Sequence, residues 1–397
     1  MRDGKISLRS LNKFLFCLVF IFKTFTDVFY VAQNKSSAIV SVKYLLMLMS
    51  ISISFILFQR NDNRQYIFRE ESRAIFLVVG VFSLYSFIRS IITMNFSFDS
   101  IVGLMYIFLA IVYAFCILNT LNFEDIHACM KVILVVGIIG YICEIGLDNF
   151  TVINIMKSSF SDSYSPFESN FTSSLSIIMC SFFAYYRKDK KWLIASVLFT
   201  LFTFKRSYML FAIVYFILPI VFNPNKRINK YIYYVASATF VLATFGIIWL
   251  YLPQNQDLFI KIFGVTASKF SSGRSDLLRI LINGDYISSG YESSTAFLGR
   301  GLEMELVKIY FELGVLPLII FVFSYFKISK NNWFCFLIML QNMINFLTSH
   351  SLSSAFNWSL RFIIIGCILY KEITVYQDTG ILFLKKTSYK NLENESR

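Results

Sequence analysis

The chain has 397 residues, of which 56% are hydrophobic and only 15% are charged, and its mean hydropathy is +0.62. Soluble domains carry about 25% charged residues, so this composition excludes a soluble globular protein. Lys and Arg number 37 against 24 Asp and Glu, which gives a net charge of +13. Apolar runs close to the length of a bilayer-spanning helix recur along the whole chain. We therefore predict an all-α fold, that of a polytopic integral membrane protein.

In chain order, the apolar runs predict about twelve transmembrane helices. The predicted spans are 12–32, 39–58, 74–93, 100–119, 127–147, 170–186, 192–204, 207–222, 231–252, 303–326, 333–349 and 355–375. Only two connections between them are long, 148–169 and 253–302. The chain therefore divides into helices 1–9 over 1–252, a large loop over 253–302, helices 10–12 over 303–375, and a cytoplasmic tail over 376–397.

The basic residues predict how these helices are oriented, because Lys and Arg accumulate on the cytoplasmic side of short loops. With the N-terminus inside, the predicted inner stretches hold 22 Lys and Arg and the outer stretches hold nine, five of them in the loop 253–302. Both termini are then cytoplasmic, and the large loop lies on the outer side. This asymmetry explains most of the positive charge without a nucleic-acid partner, and a basic inner face suits anionic lipid.

Two adjacent cations, Lys205 and Arg206, interrupt the apolar run 192–222. A charge at bilayer depth costs roughly 2.5–3.5 kcal/mol on insertion scales, so such residues are rare and usually functional. The charge asymmetry favours two antiparallel helices here, because a single helix would move the later basic stretches to the outer side. The first arm, 192–204, has 13 residues and spans about 20 Å, less than the hydrocarbon core of about 30 Å. We therefore expect a sunken turn in a polar cavity that opens outward.

Other ionisable side chains fall in the outer halves of their predicted spans: Asp27, Lys43, Arg89, Glu144, Glu305, Lys308, Glu312 and Arg361. Glu305, Lys308 and Glu312 are spaced i, i+3 and i+7, so they form one stripe of a helix. Neutralised pairs explain such residues one by one, and Lys23 with Asp27 is a plausible pair of this kind. Pairing does not explain why the residues gather near one face of the membrane.

The large loop and the segment after it contain further polar candidates. In "KFSSGRSDLLRILIN", Ser275 and Asp276 are candidate caps of a helix lying on the membrane surface, and Arg274 directly precedes them. Of the two histidines, His127 lies at the cytoplasmic start of a span and is predicted to be structural. His350 lies in the polar segment "LTSHSLSSAFNW", where a capping residue and a catalytic residue are equally good interpretations.

Four pieces of the sequence carry a resemblance to a known family: "FKRSYML", "SSGRSDLL", "LGRGLEMELVKIYFELGVLPL" and "TSHSL". The chain resembles the Wzy-type O-antigen and capsular repeat-unit polymerases, which are relatives of the O-antigen ligases. The third piece resembles the family's Gly-x-Gly followed by a Glu-bearing helix that ends in Leu-Gly. Two positions depart from the family's pattern, since Lys205 stands where a small residue is frequent and Lys157 where Arg is frequent.

The resemblance implies a metal-independent glycosyltransferase without a cofactor, in a bacterial inner membrane, with its active site facing the periplasm. The implied substrates are undecaprenyl-pyrophosphate-linked oligosaccharides. A sugar hydroxyl of one repeat attacks the anomeric carbon of another chain, and undecaprenyl pyrophosphate leaves. A membrane protein that regulates chain length is an implied partner.

This chemistry needs cations for the pyrophosphate and a base for the hydroxyl proton. Arginine offers a permanent charge and bidentate donors, so we assign Arg206 and Arg274 to the pyrophosphate, with Lys205 assisting. Either Glu305 or His350 is the general base, and the sequence leaves both open. The further candidates for the site are Arg361, Arg89 and Arg300.

Other functions fit the same composition. An O-antigen ligase would join the glycan to the lipid A core with the same acid–base groups. A repeat-unit flippase or other transporter would show pseudo-symmetric halves and a binding site at the membrane midplane. The single large loop and the charges near one face count against a transporter, whereas the polymerase and the ligase both stay open. A membrane scaffold without catalysis is disfavoured by the arginine expected at bilayer depth, Arg206.

Overall fold

The computed structural model describes residues 7–31, 38–59, 66–151, 154, 167, 169, 171–187, 189–329, 332–349 and 351–379. Three of the predicted features lie partly or wholly outside these ranges. They are His350, most of the connection 148–169 together with Lys157, and residues 380–397 of the tail 376–397.

The described residues form helices and no β-strand, so the all-α fold class is confirmed. The first nine helices, α1–α9, are Leu8–Thr26, Ile39–Gln59, Arg69–Thr93, Phe98–Thr120, Phe123–Ile145, Phe171–Tyr185, Lys190–Phe202, Arg206–Val221 and Lys230–Tyr251. Helix α1 continues directly into a π-helical turn over Asp27–Val31.

The large predicted loop also contains helices in the structure. Helices α10–α13 are Gln256–Phe263, Ala267–Ser271, Arg274–Asn283 and Ser293–Leu298. Helix α12 begins at Arg274 after Gly273, so Ser275 and Asp276 lie in its first turn and do not cap it. The last four helices, α14–α17, are Glu305–Leu313, Val315–Ile328, Trp333–Phe346 and Ala355–Thr379.

Six helices of the described chain are long and apolar enough to cross a membrane, as a multi-pass protein requires. They are Leu8–Val31, Ile39–Gln59, Arg69–Thr93, Phe98–Thr120, Phe123–Ile145 and Lys230–Tyr251. Five shorter apolar helices accompany them, so the expected count of about twelve full spans stays a prediction. The predicted span 303–326 is not one continuous helix, because α14 ends at Leu313 and α15 begins at Val315, with Gly314 between them at φ +100°.

The helices alternate in direction, so their ends gather at two opposite ends of the bundle. At the end that we call the basic end, Lys13 of α1 pairs with Asp125 of α5 at 2.7 Å. At the opposite end, which we call the site end, Asp27 follows α1 and pairs with Lys43 of α2 at 3.1 Å. Contacts between the later helices follow the same alternation. The ionisable residues predicted to share one face therefore lie toward the site end.

The run 192–222 forms the predicted hairpin of two helices. Helix α7 ends at Phe202 and helix α8 begins at Arg206, with Phe204 in the left-handed region at φ +50°. Arg187, just before α7, donates to the carbonyl of Phe216 near the far end of α8. The two helices are therefore antiparallel, and the turn between them lies at the site end.

Candidate functional site

The segment between α12 and α13 is bound to the site ends of α3 and α4. Ser90 donates to the carbonyl of Ser289 at 2.7 Å, and the backbone N–H of Tyr291 donates to Ser86 at 3.0 Å. A Cβ on Gly103 of α4 would lie 2.9 Å from the Glu292 side chain, so only glycine permits this close approach. Part of the large loop is thus packed into the bundle.

Glu292 of this segment meets three charged residues of α14, and we call the four residues the acidic cluster: Glu292, Glu305, Lys308 and Glu312. Glu312 accepts from the backbone N–H groups of Glu292 at 2.8 Å and Ser294 at 2.9 Å, and from the Ser294 hydroxyl at 2.6 Å. The Lys308 ammonium pairs with the Glu292 carboxylate. Glu292 has φ +66°, a conformation that is rare for residues other than glycine and is concentrated at functional sites.

Glu305 is fully buried, and its carboxylate accepts hydrogen bonds from other segments of the described chain. The donors include the Tyr291 hydroxyl at 3.1 Å and the backbone N–H groups of Ser351 and Leu352, both at 3.2 Å. Burial, reinforced by the Glu305 and Glu292 carboxylates, holds the pKa of the Tyr291 hydroxyl well above its ordinary value, so the hydroxyl keeps its proton and donates. Glu305 therefore ties α14 to the segment that precedes α17.

The hairpin turn lies beside that same segment. Arg206 is exposed and Lys205 is half-buried, with its ammonium 4.7 Å from the centre of the Tyr208 ring. The hydroxyl of Ser207 donates to the Asn345 side chain at 3.3 Å. The structure thus brings the cationic turn, residues 203–206, and Glu305 to one stretch, residues 345–352, which we call the anchor segment. His350 belongs to this stretch in sequence but lies outside the described residues.

Arg361 lies one layer deeper, on the second turn of α17, with 3% of its surface exposed. Its guanidinium stacks on Trp358 at 4.9 Å, and its Nε and Nη1 atoms have no hydrogen-bond partner within the described chain. Its ionisable neighbours are Tyr208, Tyr215 and Tyr325. Since Tyr208 also contacts Lys205, Arg361 is close to the cationic turn. A buried donor without a partner costs free energy, so this group is a natural binding partner for an anion or a water molecule.

The remaining predicted arginines lie away from the anchor segment's contacts. Arg274 is bound to the Glu303 carboxylate through Nε at 2.9 Å and Nη2 at 2.8 Å, and to the carbonyl of Ser271 at 3.2 Å. Arg89, in the last turns of α3, and Arg300, after α13, are both exposed. Three residues were assigned to the pyrophosphate. In the structure, Lys205 and Arg206 lie together in the hairpin turn, whereas Arg274 is bound to Glu303.

A second group of charged residues lies near the start of α6 and of α17. The sequence indicated only one pair of this group, Lys23 with Asp27. Asp27 accepts from both Lys23 and Lys43. The Lys23 ammonium lies 4.5 Å from the centre of the Phe171 ring and 5.4 Å from that of Phe356. Sequence reasoning placed Lys43 on this face but did not connect it to Asp27, and it missed Glu292, because no local spacing connects these residues to their partners.

An apolar groove of about 320 Å³ opens between α5 and α7 near the cationic turn. Its walls include Tyr141, Phe150 and Phe202, and the Tyr141 hydroxyl donates to the carbonyl of Phe202 at 2.7 Å. Phe150 contacts Phe167, which contacts Phe204 of the turn, with ring centres 5.5 Å and 4.9 Å apart. An apolar surface therefore continues from the groove to the turn that carries the two cations.

Comparisons of this chain with models of protein families, with curated proteins and with solved structures found no match. No relative therefore supplies an activity, a substrate or a set of catalytic residues. The function proposed below depends on the geometry of the site end and on the resemblance carried by the four short sequence pieces.

Proposed function

We propose that the protein is a membrane glycosyltransferase of the Wzy type. It polymerises undecaprenyl-pyrophosphate-linked oligosaccharide repeats at the periplasmic face of a bacterial inner membrane. The observation that carries the proposal is the meeting of the cationic turn with the anchor segment, where Ser207 contacts Asn345 and Glu305 binds Ser351 and Leu352. Cations and an acid–base segment are the two parts that this reaction requires.

The cationic turn suits the leaving group. As the bond from the anomeric carbon to the phosphate oxygen breaks, negative charge develops on undecaprenyl pyrophosphate. The exposed guanidinium of Arg206 offers bidentate donors to that charge, and the ammonium of Lys205 adds a second cation. The apolar groove that leads to Phe204 suits the polyprenyl chain of the same substrate. The cations of the chain itself supply the charge stabilisation, so the proposal needs no metal ion.

The base that takes the hydroxyl proton is Glu305 or His350. A base must present a free lone pair to the attacking hydroxyl. The Glu305 carboxylate is fully buried and already accepts hydrogen bonds from Tyr291, Ser351 and Leu352, an arrangement that favours an anchoring role. We therefore assign the base to His350, and the new glycosidic bond forms as that proton is removed.

Reconstitution tests this proposal. The purified protein is placed in lipid vesicles with lipid-linked repeat units extracted from the producing cell, and product length is followed on a gel. We expect a ladder of lengths and release of undecaprenyl pyrophosphate. Transfer of glycan to added lipid A core without a ladder would indicate the ligase, and movement of lipid-linked repeats across the bilayer without bond formation would indicate the flippase.

Variants of the cationic turn connect the activity to this site. Arg206→Ala should abolish the ladder, and Arg206→Lys should reduce it, because an ammonium lacks the planar fork of the guanidinium. Lys205→Ala should have a smaller effect. The control is Arg227→Ala, which removes an exposed arginine at the basic end after the same hairpin. Full polymer length from a well-inserted Arg206→Ala protein would contradict the proposed role of this turn.

A further inference from the structure

A larger groove lies at the basic end, between α2, α3 and α4, far along the bundle from the cationic turn. Its volume is about 660 Å³, within the range of about 300–1,000 Å³ that is usual for ligand sites. Its walls are mainly aromatic and aliphatic, and they include Phe55, Phe58, Phe76, Val112 and Phe115. The groove is thus an elongated apolar surface shared by three helices.

Two arginines of α3, Arg69 and Arg73, line the polar part of this groove. They are four residues apart and therefore lie on one face of the helix. Both side chains are exposed, and neither guanidinium has a hydrogen bond or ion pair with the described part of the chain. The buried Glu71 beside them accepts from the Tyr370 hydroxyl at 2.8 Å and does not line the groove. The groove therefore presents, next to an apolar wall, two cations that make no ion pair within the described chain.

We propose that this groove binds an anionic phospholipid. The lipid phosphate accepts hydrogen bonds from Arg69 and Arg73, and an acyl chain lies along Phe58, Phe76 and Phe115. A soluble anion would satisfy the arginines but would leave the apolar wall uncovered, whereas a lipid satisfies both. The richly basic end of the bundle is also the end that faces the anionic leaflet under the charge asymmetry of the sequence. This site is independent of the proposed glycosyl transfer.

Native mass spectrometry of the full-length protein in a neutral detergent tests the proposal. The protein is titrated with phosphatidylglycerol or with phosphatidylcholine, and bound lipid is counted. Because each basic side chain near a lipid surface contributes about 1 kcal/mol, removal of one arginine should weaken phosphatidylglycerol binding about fivefold. The Arg69→Gln/Arg73→Gln protein should therefore bind the two lipids almost equally, whereas the wild type should prefer phosphatidylglycerol.

The matched control removes two exposed cations from the same end of the bundle, as Lys190→Gln/Lys191→Gln. This protein should keep the wild-type preference, because neither lysine lines the groove. An equal loss in both double variants would show a general effect of surface charge and would overturn the proposal. So would a wild-type protein without preference, or an Arg69→Gln/Arg73→Gln protein that binds phosphatidylglycerol as well as the wild type does.

Discussion

Glu305 shows how far a residue's surroundings decide its role. Its position in a Glu-bearing helix after a Gly-x-Gly pattern made it a candidate base in the sequence. In the structure, the carboxylate accepts from Tyr291, Ser351 and Leu352 and is fully buried. Removal of a carboxylate that accepts hydrogen bonds from two backbone N–H groups would leave those buried donors unpaired. We therefore infer that Glu305 stabilises the fold and is not the proton acceptor of the reaction.

The anchoring role predicts different outcomes for two substitutions of this residue. Glu305→Gln should fold and keep much of the product, because its amide oxygen can accept the two backbone bonds while the Tyr291 hydroxyl turns to accept from the amide. Glu305→Ala should lower the midpoint of thermal unfolding, since each unpaired buried donor costs about 1–3 kcal/mol. Thermal unfolding in detergent and the polymerisation gel measure both effects.

A neighbouring substitution provides the control. Glu303→Ala breaks an exposed pair with Arg274, and such pairs contribute about 0–1 kcal/mol, so its unfolding midpoint should stay near that of the wild type. A Glu305→Gln protein that is as stable as the wild type yet makes no polymer would contradict the anchoring role. Glu305 would then be the base.

At the scale of elements, two breaks in predicted apolar runs shape the site end. The break between α7 and α8 places Lys205 and Arg206 at the site end. The break between α14 and α15 lets α14 contact the anchor segment. The first uses Phe204 at φ +50°, and the second uses Gly314 at φ +100°. With this break, Glu305 of α14 binds Leu352 while α15 packs against α3.

The break at Gly314 makes a prediction about stability. Its φ of +100° and ψ of −174° belong to a region that is almost restricted to glycine, where another residue costs about 1–3 kcal/mol. Gly314→Ala should therefore lower the unfolding midpoint through backbone strain, because no atom lies within 4 Å of the added Cβ. Polymer formation should fall as well, since α14 carries Glu305.

Gly246→Ala is the matched control. Gly246 lies inside α9, also with no atom within 4 Å of an added Cβ. Alanine stabilises a helix interior by roughly 0.5–1 kcal/mol relative to glycine, so this variant should be neutral or more stable. If Gly314→Ala proved as stable as Gly246→Ala, the bend would not need glycine, and one continuous helix over 303–326 would be the better description.

At the scale of the whole molecule, the two ends of the bundle differ in chemistry. The basic end joins its helices with surface pairs such as Lys13 and Asp125, and it carries the lipid groove of Arg69 and Arg73. The site end holds the buried acidic cluster, the cationic turn and Arg361. Ionisable residues inside apolar helical bundles are usually functional, so the site end is the place to look for a binding site.

Cysteine labelling measures this polarity directly. Arg227 and Asp285 are both exposed, and α9 is the long apolar helix between them. Arg227→Cys and Asp285→Cys should therefore lie on opposite sides of the membrane. The background lacks the exposed Cys143 and the half-buried Cys17. An impermeant maleimide should label Asp285→Cys in intact cells and Arg227→Cys only after the membrane is permeabilised.

Labelling of both cysteines in intact cells would contradict a membrane-spanning α9. Labelling of Arg227→Cys alone would reverse the predicted orientation and would place the proposed site on the cytoplasmic side. The control is a protein with neither new cysteine, which should stay unlabelled in both conditions.

Local properties of the sequence predicted the helical fold, most helix boundaries, the hairpin at 205–206 and the clustering of charges. Each depends on residues close together in the chain: hydropathy over about twenty positions, or the spacing of charges along one helix. The helix break at Gly314, inside the predicted span 303–326, was missed because hydropathy does not register the φ that one glycine permits. The engagement of Arg274 by Glu303 was missed because 29 residues separate the two partners.

The sequence by itself determined that the chain is a bundle of apolar helices with basic connections, because burial of apolar surface in lipid needs only composition and length. Only the tertiary structure decided which charged groups meet. Lys205 and Arg206 reach the anchor segment through Ser207 and Asn345, which are 138 residues apart, and Glu305 binds Leu352, 47 residues away. The physical reason is that a buried charge is satisfied by the donors that packing brings to it, and packing joins helices far apart in the chain.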